Sequence, residues 1–156
     1  MGYSGPLKTN EYVWHRRFLR VAREVASWSK DPSTKVGSVA VLDNRIIATG
    51  YNGFPKAIPD ISDRLHDREL KYKFMVHAEE NMLKESADFR GATAYIYGLA
   101  PCSKCLLSLV NHGFVNVYYV KVKERENWEK DWYDNCEDII EVSGIKVEEL
   151  KKDEIS

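Results

Sequence analysis

Two short motifs in this chain contain residues whose types and spacing could hold a reactive metal ion. The first is His77-Ala78-Glu79, and the second is Pro101-Cys102-Ser103-Lys104-Cys105. One imidazole and two thiolates make three zinc-type ligands, and a catalytic zinc takes three protein ligands where a structural zinc usually takes four. Zinc held in this way acidifies a bound water molecule. The motifs therefore predict one catalytic Zn²⁺ per chain, bound by His77, Cys102 and Cys105.

Glu79 has a different role in this pattern. It lies two residues beyond His77, close to the metal but not required as a ligand. A carboxylate in that place could take a proton from the activated water and pass it to an atom of the substrate. We therefore predict that Glu79 is the catalytic residue.

The cysteines leave two other interpretations open. A C-x-x-C pair can be a redox pair, but in thioredoxin-like proteins it opens the first helix after an early strand, and here it comes late. A structural zinc would need a fourth ligand, and Cys136 is the only remaining cysteine that could supply one.

The composition predicts one soluble, cytoplasmic domain spanning residues 1–156. Of the 156 residues, 44% are hydrophobic and 30% are charged, which suits a globular domain with a real core. No apolar stretch approaches the roughly 20 residues of a membrane span, and three cysteines cannot form a disulfide framework. A formal net charge of −1 gives no basic footprint for nucleic acid. We therefore expect neither membrane nor nucleic-acid partners.

The first elements that must position the motifs are a helix and a hairpin. Five apolar residues recur at helical spacing after Thr9 and Asn10, which are good N-cap residues: Trp14, Phe18, Val21, Val25 and Trp28. Two β-rich runs follow at residues 36–42 and 45–51, joined at Asp43-Asn44. Residues 54–76 form a long polar stretch, which we expect to be a lid or binding loop, helical in part.

The rest of the chain alternates helices and strands. We expect helices at residues 77–87 and 102–112 and around Trp128 and Trp132, with strands at 93–97, 115–120 and 145–149. This order predicts a three-layer α/β/α fold, with a mixed five-stranded sheet and helices on both faces. The two helix starts that carry the zinc ligands would then lie side by side beyond neighbouring strand ends.

Several motifs together resemble a known family. The zinc motifs match the H-x-E and P-C-x-x-C signature of zinc nucleobase deaminases. Across residues 27 to about 120 the chain is similar to the deoxycytidylate deaminase family, within the zinc-dependent cytidine and deoxycytidylate deaminases. Besides the Pro101–Cys105 motif, the resemblance is carried by Ser29-Lys30-Asp31-Pro32, Val36-Gly37, Gly50-Tyr51-Asn52-Gly53-Phe54-Pro55, Lys71-Tyr72 and His77-Ala78-Glu79-Glu80-Asn81. Of these, the motifs that begin at Ser29 and at Gly50 are the more particular to the nucleotide enzymes.

The resemblance implies a cytidine deaminase-like fold and hydrolytic removal of the 4-amino group of dCMP. The products would be ammonia and dUMP, which supplies dTTP synthesis. The activated water would attack ring carbon 4, while Glu79 would protonate ring nitrogen 3 and then the departing amine.

The resemblance also implies roles in binding the base and the sugar. The Ala78 amide would hold the base carbonyl, and Asn52 would hold the sugar hydroxyl. Tyr51 or Tyr97 would form an apolar wall for the ring. Asn52 could equally be a turn residue that tolerates left-handed geometry before Gly53.

A 5′-phosphate requires hydrogen-bond donors, and two parts of the sequence could supply them. Ser29 and Lys30 follow the first helix, and Lys71 and Tyr72 precede the zinc-binding helix. The alternative for each lysine is a solvated surface charge.

Regulation and assembly are further implications of the resemblance. Many members are hexamers activated by dCTP and inhibited by dTTP, at a site that includes the turn formed here by Tyr51, Asn52 and Gly53. Some members hold a second, structural zinc before the H-A-E motif. Residues 54–76 here contain only His66 and no cysteine, so we expect one ion per chain.

Two other functions stay open at this point. The zinc motifs alone do not separate a dCMP deaminase from a dCTP deaminase or a tRNA adenosine deaminase, although the near-neutral charge disfavours RNA. A non-catalytic zinc- or nucleotide-binding module would keep the ligands but would not need Glu79.

Overall fold

A computed structural model of the protein describes the backbone of residues 5–156 and the side chains from residue 12 onward. The helices are α1 Gly5–Ala26, α2 Ser62–His66, α3 Arg68–Phe74, α4 Ala78–Leu83, α5 Ser103–Asn111, α6 Glu126–Asp131 and α7 Glu137–Ser143. The strands are β1 Gly37–Leu42, β2 Arg45–Tyr51, β3 Thr93–Gly98, β4 Asn116–Lys121 and β5 Lys146–Glu149. A π-helical turn, Trp132–Cys136, joins α6 to α7, and a short 3₁₀ helix, Lys152–Glu154, lies near the end of the chain.

The strands form a single mixed sheet in the order β2-β1-β3-β4-β5. Strand β1 is antiparallel to both β2 and β3, whereas β3, β4 and β5 run parallel to one another. The mixed five-stranded sheet predicted from the sequence is thereby confirmed.

Helices cover both faces of this sheet, because side chains along each central strand alternate between two cores. Helix α1 packs on one face with a cluster that includes Val39, Val41 and Tyr95. Helices α4, α5 and α7 pack on the other face, where the cluster includes Ala40 and Ile96. Burial on both faces explains why β3 and β4 have almost no exposed side chains.

The predicted hairpin is present, and its turn has a clear physical cause. Asp43 and Asn44 both have positive φ angles, 52° and 63°. Two consecutive residues with positive φ are the requirement of a type I′ turn, and Asn and Asp tolerate this geometry better than other non-glycine residues.

The first helix differs from the prediction at both ends. It begins at Gly5, so Thr9 and Asn10 lie inside it and do not cap it. It ends at Ala26, and Trp28 lies beyond it with 51% of its surface exposed. Helix α1 lies very close to the sheet at Ala22, since a Cβ added to Gly37 would lie 2.2 Å from the Ala22 carbonyl oxygen.

Residues 54–76, predicted as a polar loop with some helix, contain α2 and α3. The segment is tied back to the sheet end by backbone hydrogen bonds in both directions between Gly53 and Val76. None of the helices in the described part of the chain combines the length and the apolar composition that a bilayer crossing requires.

Candidate active site

The loops that build the site all leave the same edge of the sheet. Because β1 is antiparallel to both neighbours, its start at Gly37 pairs with the end of β2 at Tyr51 and with Tyr97 near the end of β3. The parallel strand β4 ends at this edge as well. The loops before β1 and after β2, β3 and β4 therefore meet there, in the region where ligands bind in open α/β sheets.

The three predicted zinc ligands lie together at this edge. His77 is the N-cap of α4, Cys102 is the N-cap of α5, and Cys105 lies in the first turn of α5. The His77 Nδ1 atom is 3.3 Å from the Cys105 sulfur and 3.6 Å from the Cys102 sulfur. All three ligand atoms lie within 4.8 Å of one another.

These distances fit a zinc ion. Zn–S bonds of about 2.3 Å and Zn–N bonds of about 2.0–2.1 Å, at a tetrahedral angle, place nitrogen and sulfur about 3.5–3.6 Å apart. The two thiolates and the imidazole are also the donor set that tetrahedral zinc prefers. Among the described residues this is the only group of such ligands found, and it leaves the fourth position free for water or substrate.

The two thiols differ in how readily they lose a proton before zinc binds. A hydrogen bond from the Cys105 side chain, together with the Cys105 backbone amide and the His77 imidazole, lowers the pKa of Cys102 to about 4. The partner thiol carries the proton, so the pKa of Cys105 is raised. The hydrogen bond to the Cys102 sulfur raises the pKa of His77 to about 9. Zinc must displace the protons of Cys105 and His77, so its affinity should depend on pH.

Glu79 is a buried carboxyl group beside these ligands. Its exposed fraction is 4%, and burial raises its pKa to about 7. A carboxyl group with a pKa near the working pH both accepts and donates protons readily. This is the property that a proton shuttle requires.

Helix α4 holds His77 and Glu79 in place through close contact with the sheet. A Cβ added to Gly50 would lie 2.3 Å from the Met82 backbone nitrogen, so the helix rests directly on β2. The Ser38 hydroxyl donates to the Ala78 carbonyl at 2.9 Å. The first turn of α4 is thus fixed to two strands.

A cavity of about 300 Å³ opens beside Glu79 and the zinc ligands. Its apolar wall consists of Val36, Met75, Leu99 and Trp128, and its polar lining includes Asp31, Thr34, Asn52, Lys71, Tyr72, Arg125 and Asn127. This volume is at the lower end of the range for small-molecule sites. The mixture of a mostly apolar wall and a few charged groups is typical of sites that bind a polar ring compound.

The structure places some predicted binding residues in this cavity and others outside it. Ala78, Asn52, Lys71 and Tyr72 line the cavity. Ser29 is buried and donates from its hydroxyl to the Asn52 carbonyl at 2.8 Å, away from the cavity lining.

Lys30 also lies outside the cavity lining. Its side chain is 67% exposed and pairs with Asp60 at 3.3 Å. The role in phosphate binding expected of Ser29 and Lys30 stays a prediction that the geometry does not support directly.

Asn52 has a structural function that its motif did not predict. Its side-chain oxygen accepts from the Val36 amide at 2.9 Å, and its side-chain nitrogen donates to the Thr34 carbonyl at 2.9 Å. Asn52 therefore fixes the loop before β1 against the end of β2, and it still faces the cavity.

Neither Tyr51 nor Tyr97, one of which was expected to form an apolar wall for the ring, is among the residues that line the cavity. Strand alternation directs Tyr97 to the α1 face of the sheet, where it packs against that core. Tyr51 is 41% exposed and its ring contacts Trp28. Trp128 and Tyr72 do line the cavity, and the Trp128 ring centroid lies 6.0 Å from that of His77.

Two cations on one side of the site, Lys123 and Arg125, were not predicted from the sequence, whereas Lys71 was. A second cavity of about 890 Å³ shares Lys71, Tyr72, Arg125 and Asn127 with the first, and it adds further basic residues at His66, Arg68, Lys123 and Lys130. The signal was available: residues 122–127 follow β4, and loops after strand ends of an α/β sheet build the ligand site.

Comparison with known proteins agrees with this arrangement. Residues 12–121 match the family model described as the cytidine and deoxycytidylate deaminase zinc-binding region. The chain is 35% identical over 144 residues to an uncharacterized deaminase of Aliivibrio fischeri, covering 90% of this chain and 95% of that protein. It is 35% identical over 133 residues to the deoxycytidylate deaminase of Mus musculus, covering 78% and 73% of the two chains.

A solved structure shares the fold. The dCMP deaminase of the cyanophage S-TIM5, in complex with dCMP and dUMP, superposes with a TM-score of 0.65. The match covers 93% of this chain and 98% of that one, at 23% sequence identity.

Proposed function

This chain belongs to the cytidine and deoxycytidylate deaminase family and is a hydrolytic deaminase, and we propose that its substrate is dCMP, converted to dUMP and ammonia. The observation that carries this proposal is the composition of the cavity. One part of its lining contains Glu79 and the zinc ligands, and the part shared with the second cavity contains Lys71 and Arg125. A nucleotide carries a base to be deaminated and a phosphate to be neutralised, and this cavity offers groups for both.

His77, Cys102 and Cys105 would hold the zinc ion, which when bound lowers the pKa of a water molecule to near neutrality. Glu79 takes a proton from the attacking water and delivers it to ring nitrogen 3. After water adds at carbon 4, the same carboxylate takes the proton of the new hydroxyl group on carbon 4 and transfers it to the departing amino group, which leaves as ammonia. One proton-carrying group serves both transfers, and its pKa near 7 suits both directions.

The walls of the cavity would orient the base. The Ala78 amide lies in the first turn of α4, beside Glu79, where a free helix N–H could donate to the base carbonyl. The Trp128 indole nitrogen donates to the Ala100 carbonyl at 2.9 Å, which fixes its ring in the apolar wall. Asn52 would contact the sugar hydroxyl from the opposite loop.

Arg125 is the residue best placed to bind the phosphate. It lines both cavities, and its guanidinium stacks over the Trp128 ring at 5.6 Å. Its hydrogen bonds to the Thr34 and Tyr72 hydroxyl groups, at 2.5 Å and 3.5 Å, leave other N–H donors free. Lys71 and Tyr72 border the same opening.

Control by dCTP and dTTP is a further part of the proposal. Tyr51 is accessible at the protein surface, while its neighbour Asn52 reaches the cavity wall. An effector bound at Tyr51, Asn52 and Gly53 would act on the substrate through Asn52. The hexamer, the cytoplasmic location and the supply of dUMP for dTTP synthesis stay predictions from the sequence.

The test is ammonia release by the zinc-loaded protein from deoxycytidine, dCMP, dCTP and an adenosine-containing tRNA stem-loop, each with and without added dCTP or dTTP. We expect the highest kcat/KM for dCMP and no turnover of the stem-loop. Preference for dCTP would correct the substrate while retaining the mechanism. Turnover of the stem-loop alone would overturn the nucleotide proposal, and no turnover of any compound would indicate a binding module.

A further inference from the structure

The start of helix α5, which carries both cysteine ligands, is held by a side chain from a different helix. Asp131, the last residue of α6, accepts two hydrogen bonds from Ser103, the first residue of α5. The Ser103 backbone amide donates to Oδ2 at 2.7 Å, and the Ser103 hydroxyl donates to Oδ1 at 2.8 Å. Ser103 directly follows Cys102, so this bidentate contact lies next to a metal ligand in the chain.

One of the free amides at the start of α5 has its acceptor in another helix. The Ser103 amide donates to Asp131. Helix N-terminal amides have no partner within the helix and need acceptors. Asp131 thus supplies the acceptor for the amide of the peptide bond that links Cys102 to Ser103.

Asp131 itself is fixed by its surroundings. The Asn135 side chain donates to Asp131 Oδ1 at 2.9 Å. The Cys136 thiol, which is fully buried, lies 3.8 Å from the Pro101 carbonyl and 4.0 Å from Asp131 Oδ2. Both residues belong to the π-helical turn, and such turns occur frequently at functional sites.

Asp131 is not a fourth metal ligand in this geometry. Both of its oxygens already accept hydrogen bonds, and it is not a member of the ligand group formed by His77, Cys102 and Cys105. Its contacts reach the metal site only through the backbone and hydroxyl group of Ser103.

We propose that Asp131 is a positioning residue that fixes Cys102 and Cys105 in the geometry required for zinc. Groups that support metal ligands by hydrogen bonds set ligand orientation, and their removal typically weakens metal binding by about 10- to 100-fold. Here the support passes through the peptide bond that links Cys102 to Ser103. The inference rests on the zinc site of the proposed function, but it is independent of which base is deaminated.

The test compares three variants with the wild-type chain. Asp131→Ala removes both contacts, and Ser103→Ala removes only the hydroxyl contact. Asp134→Asn is the control, because Asp134 lies in the π-helical turn directly after Asp131, is half exposed and pairs with Lys130. Zinc affinity is measured by competition with a chromogenic chelator, and the ligand geometry is measured from the absorption spectrum of the Co²⁺-substituted protein.

We expect Asp131→Ala to raise the zinc Kd by roughly 10- to 100-fold and to alter the Co²⁺ ligand-field bands, with a smaller effect for Ser103→Ala and none for Asp134→Asn. A zinc Kd within about twofold of the wild-type value for Asp131→Ala, with an unchanged Co²⁺ spectrum, would overturn the inference. If Asp131→Ala does not fold, the Ser103→Ala spectrum decides, and an unchanged spectrum overturns the inference. If the wild-type chain itself binds no zinc, the proposed metal site is wrong and the inference falls with it.

Discussion

Replacing Lys71 with methionine should destabilise the protein strongly, because Lys71 forms a buried ion pair with Asp31. The Lys71 ammonium lies 3.1 Å from Asp31 Oδ1 and 2.6 Å from the Ser33 hydroxyl. The two side chains are only 9% and 5% exposed. The pair joins α3 to the loop before β1, and it therefore holds one wall of the cavity in place.

The expected loss of stability depends on the hydrogen bonds that Asp31 keeps when Lys71 is replaced. Removing one partner of a buried pair typically costs about 3–5 kcal/mol, because the other charge stays buried without compensation. Burial alone would raise the pKa of Asp31, but hydrogen bonds from the Ser33 and Thr34 amides, together with Lys71, hold it below its ordinary value. Since the two amides remain, we expect a loss near the lower end, about 3 kcal/mol.

The assay is urea unfolding of the zinc-loaded protein at pH 7 for Lys71→Met, Asp31→Asn and the double variant. The double variant should lose clearly less than the sum of the two single losses, because the interaction is removed only once. A loss below about 1 kcal/mol for Lys71→Met, or additive losses, would refute the buried ion pair.

The ion pair also predicts how the loss of stability in Lys71→Met depends on pH. Because the pKa of Asp31 is lowered in the folded protein, its contribution to stability is complete above its unfolded pKa and is lost as the pH falls through the lower folded value. The stability difference between wild type and Lys71→Met should therefore shrink below about pH 4. A difference that stays constant from pH 7 to pH 3 would contradict this assignment.

Three further substitutions test separate parts of the site. The Glu79→Gln variant should retain its zinc, as measured by metal analysis, while its kcat falls by roughly 10²- to 10⁴-fold. If this variant turns over substrate at the wild-type rate, Glu79 is not the proton carrier. Arg125→Met should lower kcat/KM for dCMP by roughly 10- to 150-fold, equivalent to one charged hydrogen bond of about 1.5–3 kcal/mol. The kcat/KM for deoxycytidine should hardly change in Arg125→Met, and an equal loss for both substrates would contradict phosphate binding by Arg125. The control is Arg90→Met, which removes an exposed ion pair with Asp88. Gly50→Ala places a Cβ 2.3 Å from the Met82 nitrogen and should cost about 1–3 kcal/mol in thermal unfolding, whereas Gly53→Ala meets no atom within 4 Å and should cost less.

The cluster of His77, Cys102 and Cys105 could be predicted from the sequence because the information that specifies it is local. Each motif combines ligand types with a helix start, and the alternation of helices and strands brings both helix starts to one edge of the sheet. The Asp43-Asn44 turn was predictable for the same reason, since two residues determine its backbone geometry. In both cases the chemistry lies within a few consecutive residues.

The charged residues of the cavity are not encoded locally in the same way: Lys71 was one of several candidates for phosphate binding, and Arg125 was not predicted. Asp31, Lys71 and Arg125 lie far apart in the sequence, and each resembles a solvated surface charge when considered alone. Lys30 and Asp31 are neighbours, yet Asp31 is 4% exposed and Lys30 extends into solvent. Only the register of the sheet and the docking of α3 determine which of the two faces the cavity.

The loop at residues 31–34 links phosphate binding to the position of the base. Lys71 donates to Asp31 and Ser33, Lys123 donates to the Ser33 carbonyl at 2.7 Å, and Arg125 donates to the Thr34 hydroxyl. The cations of the second cavity are therefore already ordered by the protein before a nucleotide arrives, so a phosphate would bind with little loss of side-chain entropy. Asp31 and Thr34 also line the first cavity, beside Glu79. A phosphate bound to the cations of the second cavity would therefore help to hold the base in position. Binding energy from a remote part of a substrate that improves the alignment of the reacting atoms raises kcat as well as lowering KM. We therefore expect dCMP to have both a higher kcat and a lower KM than deoxycytidine. If the two substrates differ only in KM, phosphate binding does not affect the position of the base.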